Sequence, residues 1–272
     1  MIGRKIVTIG AVLVLCAALP AGARRAPALA VQKPSAEQLD PQLVGDLVAA
    51  NRILAFQEIF EGYGHVSVRN ARNPDRYLLS RSIAPGLVTP ADVMEFDLES
   101  RPIAAGGRSL YSERFIHGEI YRSRPDVHAV VHNHAASILP FGITGVPLRP
   151  VYHMSSFVGT GVPVFDIRRA GGATDMLVST SALGRELAAT LGKGPAVLMR
   201  GHGATVVGAS LPQVVGRTIY LDLNAKVQLQ AMQLGGTITY LSPDEVEKIL
   251  AGGEQGSYGR DWEFWRQQVM EK

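Results

Sequence analysis

Two histidines separated by a single residue, His132 and His134, close the apolar run Val127-His128-Ala129-Val130-Val131. Alternate side chains of a β-strand point the same way, roughly 6 to 7 Å apart, so this pair can converge on one metal ion. A zinc ion or a neighbouring divalent metal then wants a third imidazole or a carboxylate, and keeps a position open for substrate. The chain offers both, at His202 between two glycines downstream and at Glu113 upstream. Each residue also has a plainer reading. The histidine pair could be a polar strand end, and His202 a turn histidine facing water. Glu113 could be a fourth ligand, a general base, or a carboxylate favoured by a helix N-terminus. His128 shares the parity of His132 but lies two strand repeats away, too far for the same ion, and reads as structural.

The surrounding pattern supplies the elements that would hold these residues. Asp40-Pro41 places an N-cap residue and a proline at N1 ahead of Leu43, Leu47, Ala50 and Leu54, which predicts a helix running toward Gly62. Val66 to Val68 and Tyr77 to Leu79 read as strands of a hairpin turned at Asn73-Pro74, and Val93 to Phe96 as a further strand. Ser112 to Arg122 reads as a helix delivering the chain into the His132 strand. Ala196 to Met199 and Val206-Val207 are strands on either side of Gly201-His202-Gly203. Ser210 with Gln213 resembles a capping box for a long helix ended by Gly235-Gly236. Ser242-Pro243-Asp244-Glu245 opens another helix, and Trp262 to Met270 reads as the last. Intermixed strands and helices predict an α/β fold, a single-domain mixed β-sheet covered by helices.

The chain has 272 residues, 46% of them hydrophobic, enough for one α/β core. Its first stretch stands apart. Arg4 and Lys5 precede an uncharged, mostly apolar run to Pro20, with small residues at Ala21-Gly22-Ala23 and Ala28-Leu29-Ala30, the layout of a secretory signal peptide over residues 1–30. Residues 31–38 read as a polar linker and 39–272 as the folded domain. A periplasmic or secreted protein is expected; an uncleaved leader acting as a membrane anchor is the alternative, although the run is short for a span. After cleavage no stable membrane association is expected. Cleavage would remove four basic residues and no acidic one, so the formal charge of +3 belongs to the leader, and nothing in the body suggests a nucleic-acid partner. The one cysteine, Cys16, also lies in the leader, which leaves the mature chain without a thiolate ligand, a cysteine nucleophile or a disulfide.

Ser112-Glu113, then Arg124-Pro125-Asp126 leading into Val130-Val131-His132-Asn133-His134, then Arg200-Gly201-His202-Gly203, resembles in order and spacing the class II aldolase/adducin family. The resemblance extends over roughly residues 43–236. It implies a divalent ion, zinc first and manganese or cobalt as alternatives, bound by His132, His134 and His202. It also implies that Glu113 joins the metal shell or serves as acid and base. The implied activity is that of a carbon–carbon lyase working through a metal-stabilised enolate on a small molecule, by aldol cleavage or decarboxylation. Homotetramers with active sites between subunits are implied as well. A non-catalytic, adducin-like interaction module is the alternative; such heads lose the metal histidines, whereas this chain keeps them.

The departures from the family narrow the substrate. Sugar-phosphate aldolases hold the phosphate partly with a Gly-Asn pair before a Val-Ser-Val-Arg-like strand and with a Ser-Ser pair before the glutamate. This chain has Gly64-His65 before Val66-Ser67-Val68-Arg69, and Tyr111-Ser112 before Glu113. The Gly-His-Val-Ser-Val-Arg pattern is similar to that of members that decarboxylate hydroxylated aromatic or pyridine dicarboxylates. The expected substrate is therefore a non-phosphorylated hydroxy-carbonyl compound or hydroxyaromatic carboxylate, with His65, Arg81 and Ser112 in its binding. His153, beside Tyr152, falls where aldolases carry a tyrosine proton donor, and is expected to act as an acid or to pack at an interface.

Overall fold

Asp40 is extended, and its carboxylate accepts from the Gln42 N–H at 2.9 Å, so the chain turns directly into helix α1, Pro41–Phe56. The helix stops earlier than its apolar spacing suggested, because Glu58 adopts a left-handed φ of 58°. The computed structural model describes residues 39–159, 161–253 and 258–270. The expected leader and linker, residues 1–38, lie outside the described residues. No helix among those described is long and apolar enough to cross a membrane.

Seven strands form one mixed sheet in the order β3-β2-β1-β4-β7-β6-β5. The hairpin expected at Asn73-Pro74 joins β1, His65–Arg69, to β2, Arg76–Ser80, and β3 is Val93–Asp97. β4, Ala129–Asn133, pairs antiparallel with β1 so that His65 lies opposite His132. On its other side β4 pairs with β7, Gly203–Gly208, which is joined through the His202 turn to β6, Ala196–Met199. The edge strand β5, Val164–Phe165, is the parallel partner of β6.

Period-two alternation divides the apolar side chains between two faces. Val66, Val68, Leu78, Ala129, Val131 and Val206 pack with α1 and with α6, Leu211–Gln233, while the last helix, α8 (Gly259–Met270), adds Trp262 and Trp265. Tyr77, Leu79, Phe96, Val130, Val197 and Val207 pack on the other face with α2, Phe115–Ser123, and α5, Ser181–Leu191. Each large aliphatic side chain buried in this way contributes about 1.5–3 kcal/mol. Short helices α3 (Leu139–Thr144) and α4 (Arg168–Gly171) and the helix α7 (Pro243–Ala251) complete the set.

Two local expectations change. Ser210 caps α6 by accepting from Gln213 N–H, but the Gln213 amide oxygen accepts from Ala209 N–H at 2.6 Å rather than from Ser210, so the box is displaced by one residue. His128 contributes through its backbone alone: its N–H donates to Gly208 and its carbonyl accepts from Arg69, while the side chain is exposed. Arg69 does the structural work there. Its buried guanidinium donates to the carbonyls of Val127, Tyr121 and Arg124 and so closes the C-terminus of α2.

Candidate metal centre

The end of β4 and the turn between β6 and β7 meet because two glycines allow it. Gly201 is left-handed at φ 63°, and Gly203, at φ 158°, lies so close to Asn133 that a Cβ would run into its carbonyl oxygen. This close approach sets His202 beside His134. Glu113 arrives from the opposite side, on a 3-10 turn, Ser112–Arg114, that precedes α2 with a kink at Glu113 itself (φ −89°, ψ 16°).

The four side chains converge. His134 Nε2 is 3.0 Å from His132 Nε2 and 3.1 Å from His202 Nε2, and Glu113 Oε2 is 3.4 Å from both of those nitrogens. Tetrahedral ligands at ordinary zinc–nitrogen distances stand about 3.3 Å apart. The outer ring atoms support the same use. His132 Nδ1 donates to Ala204 O at 3.2 Å and His202 Nδ1 to Met176 O at 2.9 Å, which leaves both Nε2 lone pairs facing inward. Glu113 Oε1 accepts from Val178 N–H at 2.9 Å, so Oε2 is the oxygen left for the centre. Three imidazole lone pairs and a carboxylate at this spacing repel one another unless a cation lies between them. The donor set fits a divalent ion.

At these distances the titrating groups act strongly on one another. Burial alone would raise the Glu113 carboxyl, but His132 and His202 overcome it and hold the group well below the usual carboxylate range. Burial, with His132 and His202 close by, pushes His134 down to about 4, the neutral form a metal needs. Burial also acts to lower His202, and the Glu113 carboxylate reverses this and raises it.

A cleft of about 400 Å³ opens onto the centre, lined by His65, Tyr111, Ser112, Glu113 and His134 together with Tyr63, Ile83, Leu110 and Leu177. Of the expected substrate residues, His65 is buried in the wall with its ring 5.1 Å from His132 and 4.6 Å from Tyr111, and Ser112 is exposed at the rim. Arg81 does not line this cleft. Its Nε donates to Asp92 at 2.6 Å, and Asp92 in turn caps the turn that opens at Thr89, so the guanidinium is held by structure. His153 begins a 3-10 turn, His153–Val158, is exposed, and has Tyr152 as its ring neighbour at 6.2 Å; within one chain it is not part of the cluster.

Sequence reasoning missed the layer behind His65. His117, fully buried on α2, places Nε2 2.6 Å from His65 Nδ1 and Nδ1 2.6 Å from Ser67 Oγ, which lies 2.8 Å from Tyr121 Oη. His117 and Tyr121 are four residues apart on the buried face of α2, and Glu113, on the turn before it, continues the spacing; that polar repeat was the available signal.

A mixed sheet whose central strand ends at a three-histidine, one-carboxylate cluster under an open cleft defines a protein that could hold a divalent metal where a small molecule can reach it. The chain belongs to the class II aldolase and adducin N-terminal domain family, which matches residues 45–229. It is similar to the decarboxylase tropJ of Talaromyces stipitatus, at 36% identity over 83% of this chain and 93% of that one. A 3,4-dihydroxyphthalate decarboxylase of Terrabacter is 33% identical over 81% of this chain and 93% of its own length. An L-fuculose 1-phosphate aldolase of Glaciozyma antarctica shares the fold, with a TM-score of 0.70 at 24% identity over 85% of this chain and 89% of that one.

Proposed function

We propose that this chain is a divalent-metal-dependent lyase that decarboxylates a non-phosphorylated hydroxyaryl carboxylate. The observation that carries this reading is His65, an imidazole packed between Tyr111 and His132 in the cleft wall, at the position where sugar-phosphate members of the family keep an amide. A cleft wall of imidazole and phenol, the two rings tilted 45° to each other, offers aromatic contact to a planar ring. The similarity to a 3,4-dihydroxyphthalate decarboxylase supports the same class of substrate.

His132, His134 and His202 are the residues that would hold the ion, zinc first and manganese or cobalt as alternatives, with Glu113 Oε2 beside them to move a proton. When bound, it supplies a Lewis acid for the charge that gathers on the substrate oxygens as the carbon–carbon bond breaks. Glu113 takes the proton of the ring hydroxyl; as carbon dioxide leaves, the electron pair of the broken bond stays on the ring carbon, and Glu113 delivers the proton to it. His65 and Ser112 bind the carboxylate that departs, and Tyr111 orients the ring.

The test measures carbon dioxide release from 3,4-dihydroxyphthalate and simpler hydroxybenzoates by the zinc-, manganese- and cobalt-loaded protein, beside aldehyde release from L-fuculose 1-phosphate. Carbon dioxide release that is lost in His132→Ala supports the reading. Turnover of the sugar phosphate alone overturns it, and a purified protein that retains no divalent ion would favour the interaction module instead.

Two further features belong to this proposal. The leader layout of residues 1–30 supports export, and the family resemblance supports a homotetramer in which the exposed His153 of one chain reaches the cleft of another. The N-terminus of the exported chain and the mass of the assembly in solution check them.

A further inference from the structure

The polar chain behind the cleft has a direction. Tyr121 is buried, and among the described residues the side-chain hydrogen-bond partner of its Oη is Ser67 Oγ. Were the serine to donate to the phenol, the phenol proton would have no acceptor, since neighbouring Tyr77 donates its own proton to Arg114 O. A buried hydroxyl donor left unpaired costs more than a lone pair left empty. Tyr121 therefore donates to Ser67. The serine proton passes to His117 Nδ1, and His117 must carry its own proton on Nε2.

One proton fits between His117 Nε2 and His65 Nδ1 at 2.6 Å, and this order assigns it to His117. A second proton on His117 would place a charge at a fully buried site whose hydrogen-bond partners are a serine and a histidine, with no carboxylate among them. His65 is then an acceptor at Nδ1, and its proton lies on Nε2, the ring nitrogen with no protein partner among the described residues. We infer that His117, with Ser67 and Tyr121 behind it, is a positioning residue that fixes His65 as the Nε2–H tautomer, so that the cleft offers a neutral donor to a substrate carboxylate or phenolate oxygen beside the metal centre. The substrate role rests on the decarboxylase reading; the tautomer does not.

A fixed neutral donor has a specific consequence for recognition. Three imidazoles and a carboxylate already set the charge of the centre, and a protonated His65 would add a cation 5.1 Å from His132. An N–H held by a hydrogen-bond relay binds an anionic oxygen in ground and transition states without altering that charge. It also rejects a substrate group that can only donate, because two donors would face each other in a buried site.

Solid-state 15N NMR of the zinc-loaded, histidine-labelled protein reads the tautomer directly, with no substrate present. His65 is expected as Nε2–H in the parent protein and as a mixture of tautomers in Ser67→Ala, which removes one oxygen that touches neither His65 nor the metal ligands. His117→Leu is expected to lower kcat for carbon dioxide release at least tenfold with zinc content unchanged. His117→Gln, whose amide can still donate to His65 Nδ1, is expected to recover most of that loss. An Nδ1–H signal for His65, or an unchanged tautomer in Ser67→Ala, overturns the inference whatever the substrate proves to be. If His65 is Nε2–H and no hydroxyaryl carboxylate is turned over, the relay stands and the decarboxylase reading fails.

Discussion

At the scale of single residues, Gly203 decides whether His134 and His202 can meet. Gly203 has no room for a Cβ against the Asn133 carbonyl, and Asn133 pairs with Ala204 in the ladder between β4 and β7. Gly203→Ala must push those strands apart at the point where His134 and His202 face each other. The expected loss is about 3 kcal/mol of stability, with zinc affinity reduced at least tenfold. Gly201 is the control, because its strain comes from φ alone and its nearest atom lies 3.7 Å from an added Cβ. Gly201→Asn keeps a residue that tolerates the left-handed region and is expected to cost under about 1 kcal/mol, with zinc retained. Thermal unfolding and zinc titration of the two variants check the contrast. Wild-type zinc affinity in Gly203→Ala would show that the close approach does not position the ligands.

At the scale of elements, what the sequence disclosed depended on whether a signal was local. The strand carrying His132, the His202 turn and the capped helices announce themselves through alternation, glycine placement and cap residues within a few positions of each other. β1 carries its strand signal locally but not its burial. Its sequence, His-Val-Ser-Val-Arg, alternates as a strand with one wet face would, yet all five residues are buried because α2 lies over the polar side. His65 and Ser67 are therefore partners of the α2 side chain His117, and Arg69 of the Tyr121 and Val127 carbonyls, all some fifty residues away in sequence, and no local pattern announces that pairing. Helix α5 was overlooked for a different reason. Thr180 followed by Leu183, Leu187 and Leu191 is a cap with an apolar stripe, but the stripe is one residue wide and the neighbouring glycines obscure it. Arg81 and His153 lie apart from the cluster within one chain, Arg81 paired with Asp92 and His153 exposed on a 3-10 turn, because a resemblance passes on positions in the chain whereas packing settles what each side chain meets.

At the scale of the whole molecule, the buried histidines make stability depend on pH, and the relay supplies a term that can be isolated. Burial pushes His117 down to about 3 from the usual 6.5, with His132 adding to the effect, and His65 moves the same way, chiefly through burial. Above pH 6.5 His117 is neutral in the folded and the unfolded chain, and it contributes no slope. Between pH 6.5 and about 3 the unfolded chain binds a proton at this position that the folded chain refuses, so stability falls as the solution is acidified. The slope from one such group is at most about 1.4 kcal/mol per pH unit. Below pH 3 both states are protonated and the term levels off. His117→Gln removes the titrating group but keeps a donor toward His65. Urea unfolding of the metal-free parent and variant between pH 7 and pH 4 is expected to give a shallower acid slope in the variant, by close to one proton, even if its stability at pH 7 is lower. Parallel slopes would mean that His117 takes up its proton in the folded state, and a charged His117 could not hold the tautomer of His65 through a neutral relay.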